Sequence, residues 1–125
     1  MSVADYFEDY ARRVEEVSAT GVVADEKIEF DHRSETIGVV RGRLTFIDGS
    51  LLSLMEFVDT RIADPRVTYS YHYQTMDGSQ VFRYDNALHR PALGYRHHRH
   101  AGATIREAAG PLIQDVLLEI VARFA

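Results

Sequence analysis

Two Asp-Gly dipeptides, Asp48-Gly49 and Asp77-Gly78, restrict what this chain can become more than any other feature. A two-residue type I′ hairpin turn needs positive φ at both central positions, and Asp-Gly between alternating segments supplies it. Residues 36–47 and 51–61 flank the first dipeptide, and residues 66–75 and 80–86 flank the second. Each segment alternates apolar with polar side chains, as a half-buried strand does. With a further strand over 22–32, the spacing predicts an antiparallel meander of about five strands.

Two-residue loops would also fix register, and register assigns faces. The first hairpin would pair Phe46 with Leu51, Gly42 with Met55 and Val40 with Phe57 on one face. Its other face would pair Thr45 with Leu52, Arg43 with Leu54 and Arg41 with Glu56. In the second hairpin, Tyr73 would meet Phe82 and Tyr71 would meet Tyr84, while His72 meets Arg83 and Ser70 meets Asp85 on the opposite side. One face is then apolar and the other carries chemical groups.

A sheet must bury its apolar side, and the ends of the chain offer the cover. Val3, Tyr6, Phe7, Tyr10, Val14 and Val17 recur at helical spacing behind a Ser2 N-cap and ahead of Gly21, predicting a helix over 3–19. A second helix follows Gly110-Pro111, with Leu112, Ile113, Val116, Leu117, Ile120, Val121 and Phe124 in step. The expected fold class is α+β, a single domain over 1–125 with both helices on one face of the meander. Residues 87–110 show no periodicity, and Pro91 and Gly94 suggest an irregular path, with a short helical turn as an option at 104–109. A loop of that length inside a compact domain tends to be functional or disordered.

With no cysteine there is no disulfide framework, and the start of the chain lacks the pattern of a signal peptide. No apolar run approaches the roughly 20 residues of a membrane span, so a cytoplasmic protein without membrane contact is expected. The net charge of −5 conceals a division: residues 1–64 hold 14 acids and 7 bases, residues 65–125 hold 5 acids and 7 bases. Five arginines and four histidines lie between Arg83 and Arg106, so this segment could meet phosphates although the chain as a whole is acidic.

Five of the six histidines fall between Tyr69 and His100, and histidine is the side chain best placed for proton transfer near neutrality. The polar face would collect Arg41, Arg43, Glu56, Ser70, His72, Arg83 and Asp85, with His89, His97, His98 and His100 close behind. A carboxylate, imidazoles and guanidinium groups are the parts needed to cleave RNA without metal: a base for the ribose 2′-OH, an acid for the departing oxygen, cations for the phosphate. The plainer reading makes Arg41 and Glu56 a cross-strand ion pair and His72 with Arg83 a solvated edge. Adjacent histidines in an extended segment turn opposite ways, which would set His98 apart from His97 and His100. No helical His-Glu-x-x-His pattern is present, and neither metal nor cofactor is expected.

Asp48-Gly49-Ser50-x-Leu52, Glu56-Phe57, Tyr69-x-Tyr71-His72-Tyr73-Gln74, Phe82-Arg83-Tyr84-Asp85-Asn86 and His97-His98-Arg99-His100 together resemble the successive motifs of the TumE-like toxins. The resemblance implies a toxin of a type II toxin-antitoxin module, paired with a small helix-turn-helix-type antitoxin, with ribonuclease activity expected. Arg99 stands where lysine is usual in the histidine cluster, and Leu88-His89-Arg90-Pro91 holds fewer histidines than the family's run. Catalytic roles are expected for Glu56, His72, Arg83, Asp85 and His98, and substrate contacts for Arg41, Arg43, His97, Arg99 and His100. The alternatives are a metal-dependent hydrolase built on the histidine cluster and a non-enzymatic binding module. Oligomeric state is open, a homodimer included.

Overall fold

The computed structural model describes residues 1–87 and 96–124, so His89, Pro91 and Gly94 lie outside the described residues. Helix α1, Val3–Ser18, begins where expected because Ser2 and Asp5 cap it reciprocally: the Asp5 amide donates to Ser2 Oγ at 3.1 Å, and the Ser2 amide to Asp5 Oδ2 at 3.0 Å. Val3, Phe7, Tyr10 and Val14 form its buried stripe. Among the described residues, seven antiparallel strands follow in chain order: β1 Val23–His32, β2 Ile37–Phe46, β3 Leu51–Asp59, β4 Arg66–Gln74, β5 Gln80–Asp85, β6 His98–Ala101 and β7 Thr104–Glu107. Helix α2, Ile113–Val121, packs beside α1 over the same sheet face. The α+β meander with both helices on one side is the predicted architecture, with seven strands where about five were expected.

The additional strands, β6 and β7, occupy part of the segment read from sequence as irregular, and 104–107 is extended rather than a helical turn. Each is only four residues long and too polar for alternation to reveal it. Their connection is Gly102-Ala103, with Gly102 at φ 60°. A short hairpin loop therefore does occur, at a place that carries no Asp-Gly.

The Asp-Gly turns themselves are one residue longer than predicted. The Gly49 amide donates to the Phe46 carbonyl at 2.9 Å and the Phe46 amide to the Ser50 carbonyl at 2.9 Å, so the loop is Ile47-Asp48-Gly49. Only Gly49 needs the left-handed region, at φ 82°, whereas a type I′ turn would force Asp48 there too. Asp48 instead accepts from the Ser50 amide at 2.9 Å. Register across the first hairpin moves by one residue: Val40 faces Glu56, Arg41 faces Met55, Gly42 faces Leu54 and Arg43 faces Ser53. The expected pairing of Arg41 with Glu56 is therefore overturned, and Glu56 changes face.

The second hairpin uses the same turn, with Gly78 at φ 88°, yet keeps the predicted pairs. Gln74 pairs with Gln80 but Tyr73 pairs with Phe82, so Val81 is an extra residue that restores the register. Tyr71 then faces Tyr84, His72 faces Arg83 and Ser70 faces Asp85, as expected.

Beneath the helices, Leu44, Leu52, Leu54, Val58, Tyr69, Tyr71, Tyr73 and Phe82 meet the apolar stripes of α1 and α2. Among them sits Glu56, 1 % exposed. Its carboxylate accepts from the Tyr71 hydroxyl at 2.6 Å and from the Tyr6 hydroxyl of α1. Arg66 donates to Tyr71 Oη at 3.3 Å and to the carbonyls of Pro111 and Gly110 at 2.5 and 3.0 Å, tying the approach to α2 into the same network. Burial raises the Glu56 pKa above its ordinary value, and the tyrosine hydrogen bonds oppose that rise.

Glu56→Ala should lower the unfolding free energy by about 1 to 3 kcal/mol, read from urea denaturation, because two buried hydroxyls lose their acceptor. Because the folded pKa lies above 4.5, the wild type's carboxyl contributes most below that pH and progressively less as pH rises through the raised folded value. Glu56→Gln should therefore gain on the wild type between acidic and neutral pH, and stability curves measured in parallel would reverse this if they diverged in the other direction.

Candidate active site

On the face away from the helices, the register aligns side chains into rows that cross the sheet. One row runs Lys27, Arg43, Ser53, His72, Arg83, His100, Ile105, each residue the cross-strand partner of the next. The row beside it runs Glu29, Arg41, Met55, Ser70, Asp85, His98, Glu107. Neighbouring strands lie about 4.8 Å apart, so His72 and His100 flank Arg83 with their backbones roughly 10 Å from one another.

Asp85 is the hub of the β5–β6 end. It is 2 % exposed, and its Oδ1 lies 3.3 Å from His98 Nδ1 and accepts from the Ala87 amide at 3.2 Å. Its Oδ2 lies 3.1 Å from Arg83 Nε and 3.2 Å from His100 Nε2. His98 is also buried, at 2 % exposure, while the His100 side chain keeps 18 % and that of Arg83 keeps 45 %. The expectation that His98 points away from His100 is corrected by the pleat: residues two apart share a face, and both meet Asp85.

His72 lines a shallow depression of about 210 Å³ with Ser53, Met55, Ser70 and Arg83. A second depression of about 340 Å³ adjoins it, bordered by Lys27, Glu29, Arg41 and Arg43 and sharing Ser53, Leu54 and Met55. Partial burial, and then the neighbouring Arg83 guanidinium, hold the His72 pKa below that of a free imidazole. An imidazole of lowered pKa, a guanidinium and an imidazole held by a carboxylate therefore stand side by side on one face.

Of the residues singled out from sequence, Arg41, Arg43, His72, Arg83, Asp85, His98 and His100 share this face. Glu56, His97 and Arg99 do not. Glu56 lies under α1, for the register reason given above. His97 stacks on Tyr69 with ring centroids 5.8 Å apart and its Nδ1 2.7 Å from the tyrosine hydroxyl. Arg99, opposite Tyr84 on the helix side, donates to Tyr84 Oη at 3.0 Å and to Glu119 of α2 at 3.1 Å. Lys27 and Ser53 were missed, because their membership depends on a register that the dipeptide alone did not fix.

Asp85, His98 and His100 are also the one group of three potential metal ligands among the described residues, with donor atoms all within 4.8 Å of one another. Among those residues no helix is long and apolar enough to cross a membrane. Comparison with curated proteins and with solved structures finds no match. A family model described as Toxin TumE matches residues 10–124, a span that takes in all seven strands and α2. On that near-complete match, the chain belongs to the TumE toxin family.

Proposed function

We propose that this toxin is a cytoplasmic, metal-independent ribonuclease that cleaves RNA by attack of a ribose 2′-OH on the adjacent phosphate. The reading is supported above all by the order His72, Arg83, His100 across three neighbouring strands, with Asp85 holding both Arg83 and His100. His72, whose pKa is lowered, is the base that removes the 2′-OH proton. The 2′ oxygen then bonds to phosphorus while Arg83 neutralises the charge on the non-bridging oxygens. His100, oriented by Asp85, donates a proton to the 5′ oxygen as its bond to phosphorus breaks. The products are a 2′,3′-cyclic phosphate and a 5′-hydroxyl.

Lys27, Arg41 and Arg43 border the depression that continues away from His72, and they would carry the phosphates upstream or downstream of the cut. Asp85 and His98 support the reacting groups from below, and Glu56 takes no part in the chemistry. A toxin family implies an antitoxin partner; we assign that role to a small helix-turn-helix-type protein encoded beside it.

RNA incubated with purified protein in chelator should yield 2′,3′-cyclic ends, detected by end-group analysis. His72→Ala and His100→Ala should each lower the single-turnover rate by about 10²- to 10⁴-fold, while Glu56→Gln should retain it. Cleavage unaffected by either histidine change would overturn the assignment. Arg41→Ala with Arg43→Ala should weaken RNA binding and flatten its dependence on salt, with little change in the rate at saturation. The base limb of the pH profile should fall below 6.5, because His72 must lose its proton to act. NMR titration of His72 in Arg83→Gln should show the pKa moving part of the way up toward 6.5, since burial, the larger cause of its depression, remains while the neighbouring cation has gone; no movement or a downward one would contradict the electrostatic account.

A further inference from the structure

We propose that Asp85, His98 and His100 bind one divalent transition-metal ion of the zinc or cobalt kind. From sequence alone a metal is not expected, because neighbouring histidines diverge. Strand β6 instead places His98 and His100 two residues apart on one side, His98 opposite Asp85 at the end of β5 and His100 opposite Arg83, from where its Nε2 reaches the same carboxylate diagonally. The three donors come from two strands whose pairing is fixed by the ladder, so the set is held in place before any ion arrives.

The spacing suits a metal of this size. Two ligand atoms each about 2.0 to 2.2 Å from a zinc ion stand roughly 3.4 Å apart at the tetrahedral angle. His98 Nδ1 lies 3.3 Å from Asp85 Oδ1, His100 Nε2 lies 3.2 Å from Asp85 Oδ2, and one donor atom from each of the three residues falls within 4.8 Å of the others, so a small side-chain adjustment draws the set around one ion. Two imidazoles and one carboxylate, leaving further coordination positions for water or an anion, favour zinc, cobalt, nickel or iron over magnesium or calcium, which prefer all-oxygen surroundings. Burial also counts. Asp85 and His98 are each 2 % exposed, so an ion held there would be shielded from bulk water and its ligands held more rigidly than surface groups.

One outer contact of the kind that orients a metal ligand is present, the Ala87 amide donating to Asp85 Oδ1. Arg83 Nε, on Oδ2, competes with an ion for that oxygen. Arg83 is 45 % exposed, so its guanidinium can swing toward solvent when a cation takes its place at Oδ2. A bound ion would occupy the His100 nitrogen and the Asp85 oxygens on which the proposed proton transfer depends. In the metal-independent mechanism, loading the site switches cleavage off.

The test uses the full chain, purified without a metal-affinity column, stripped with chelator and dialysed. Titration with Co²⁺, followed by its visible d–d absorption, and with Zn²⁺ by calorimetry should show one equivalent bound. His100→Asn and Asp85→Asn, checked for fold by circular dichroism, should each weaken binding by at least about tenfold, whereas His32→Asn, which removes a histidine far along β1, should leave it unchanged. No saturable Co²⁺ spectrum in the wild type, or equal binding by wild type and both site variants, would overturn the metal site. RNA cleavage measured in parallel should disappear on Zn²⁺ loading and return with chelator. Cleavage absent from stripped and loaded protein alike would sink the nuclease reading alone, since the Co²⁺ titration decides the metal site separately.

Discussion

Register between β2 and β3 is the constraint on which the chemistry of this molecule depends. In an antiparallel ladder one residue of slip exchanges every side chain between faces. The Ile47-Asp48-Gly49 loop sets that register, and it sends Glu56 into the core while keeping Arg41 and Arg43 on the open face. Pairing of β3 with β4 puts His72 on the same surface as those arginines, and the Val81 bulge then resets the count in the next hairpin so that Arg83 and Asp85 join it. Two small irregularities of backbone thus decide which ionisable groups meet water and which meet tyrosine.

The division of faces has an electrostatic logic. The buried side tolerates Glu56 because Tyr6 and Tyr71 donate to it and because Arg66, itself held by Asp64, lies close through Tyr71. A carboxylate without such donors would be costly at that depth. On the open side, Lys27, Arg41, Arg43, His72 and Arg83 are set out along two rows, with Glu29 opposite Arg41 and Asp85 paired to Arg83. Basic groups gathered in this way raise the local potential even in a chain of negative net charge.

How much of this was legible in the sequence varies with the kind of signal. Both helices were readable because their apolar spacing and the Ser2 cap act locally, and β1 to β5 because alternation does too. The second hairpin's faces were inferred correctly through two compensating departures, an extra loop residue and an extra bulge residue, neither of which was foreseen. The first hairpin had no such compensation, so Glu56 was placed among the wrong neighbours. Strands β6 and β7 escaped notice because His98-Arg99-His100-Ala101 and Thr104-Ile105-Arg106-Glu107 pair through backbone with few apolar side chains to announce it. Charge and histidine density pointed to a candidate face; turn geometry, which composition cannot convey, determined which residues share it.

Arg99 lies between His98 and His100 in the chain but on the reverse side of the sheet, where Tyr84 and Glu119 hold its guanidinium. The same four-residue strand is consequently gripped from both surfaces, by Asp85 on one and by the C-terminal helix on the other. A protein that clasps that helix and tilts it would tug the arginine and, through a single pleat, reposition both imidazoles. Neutralisation of the toxin from its back would then require no contact with the face that carries the imidazoles.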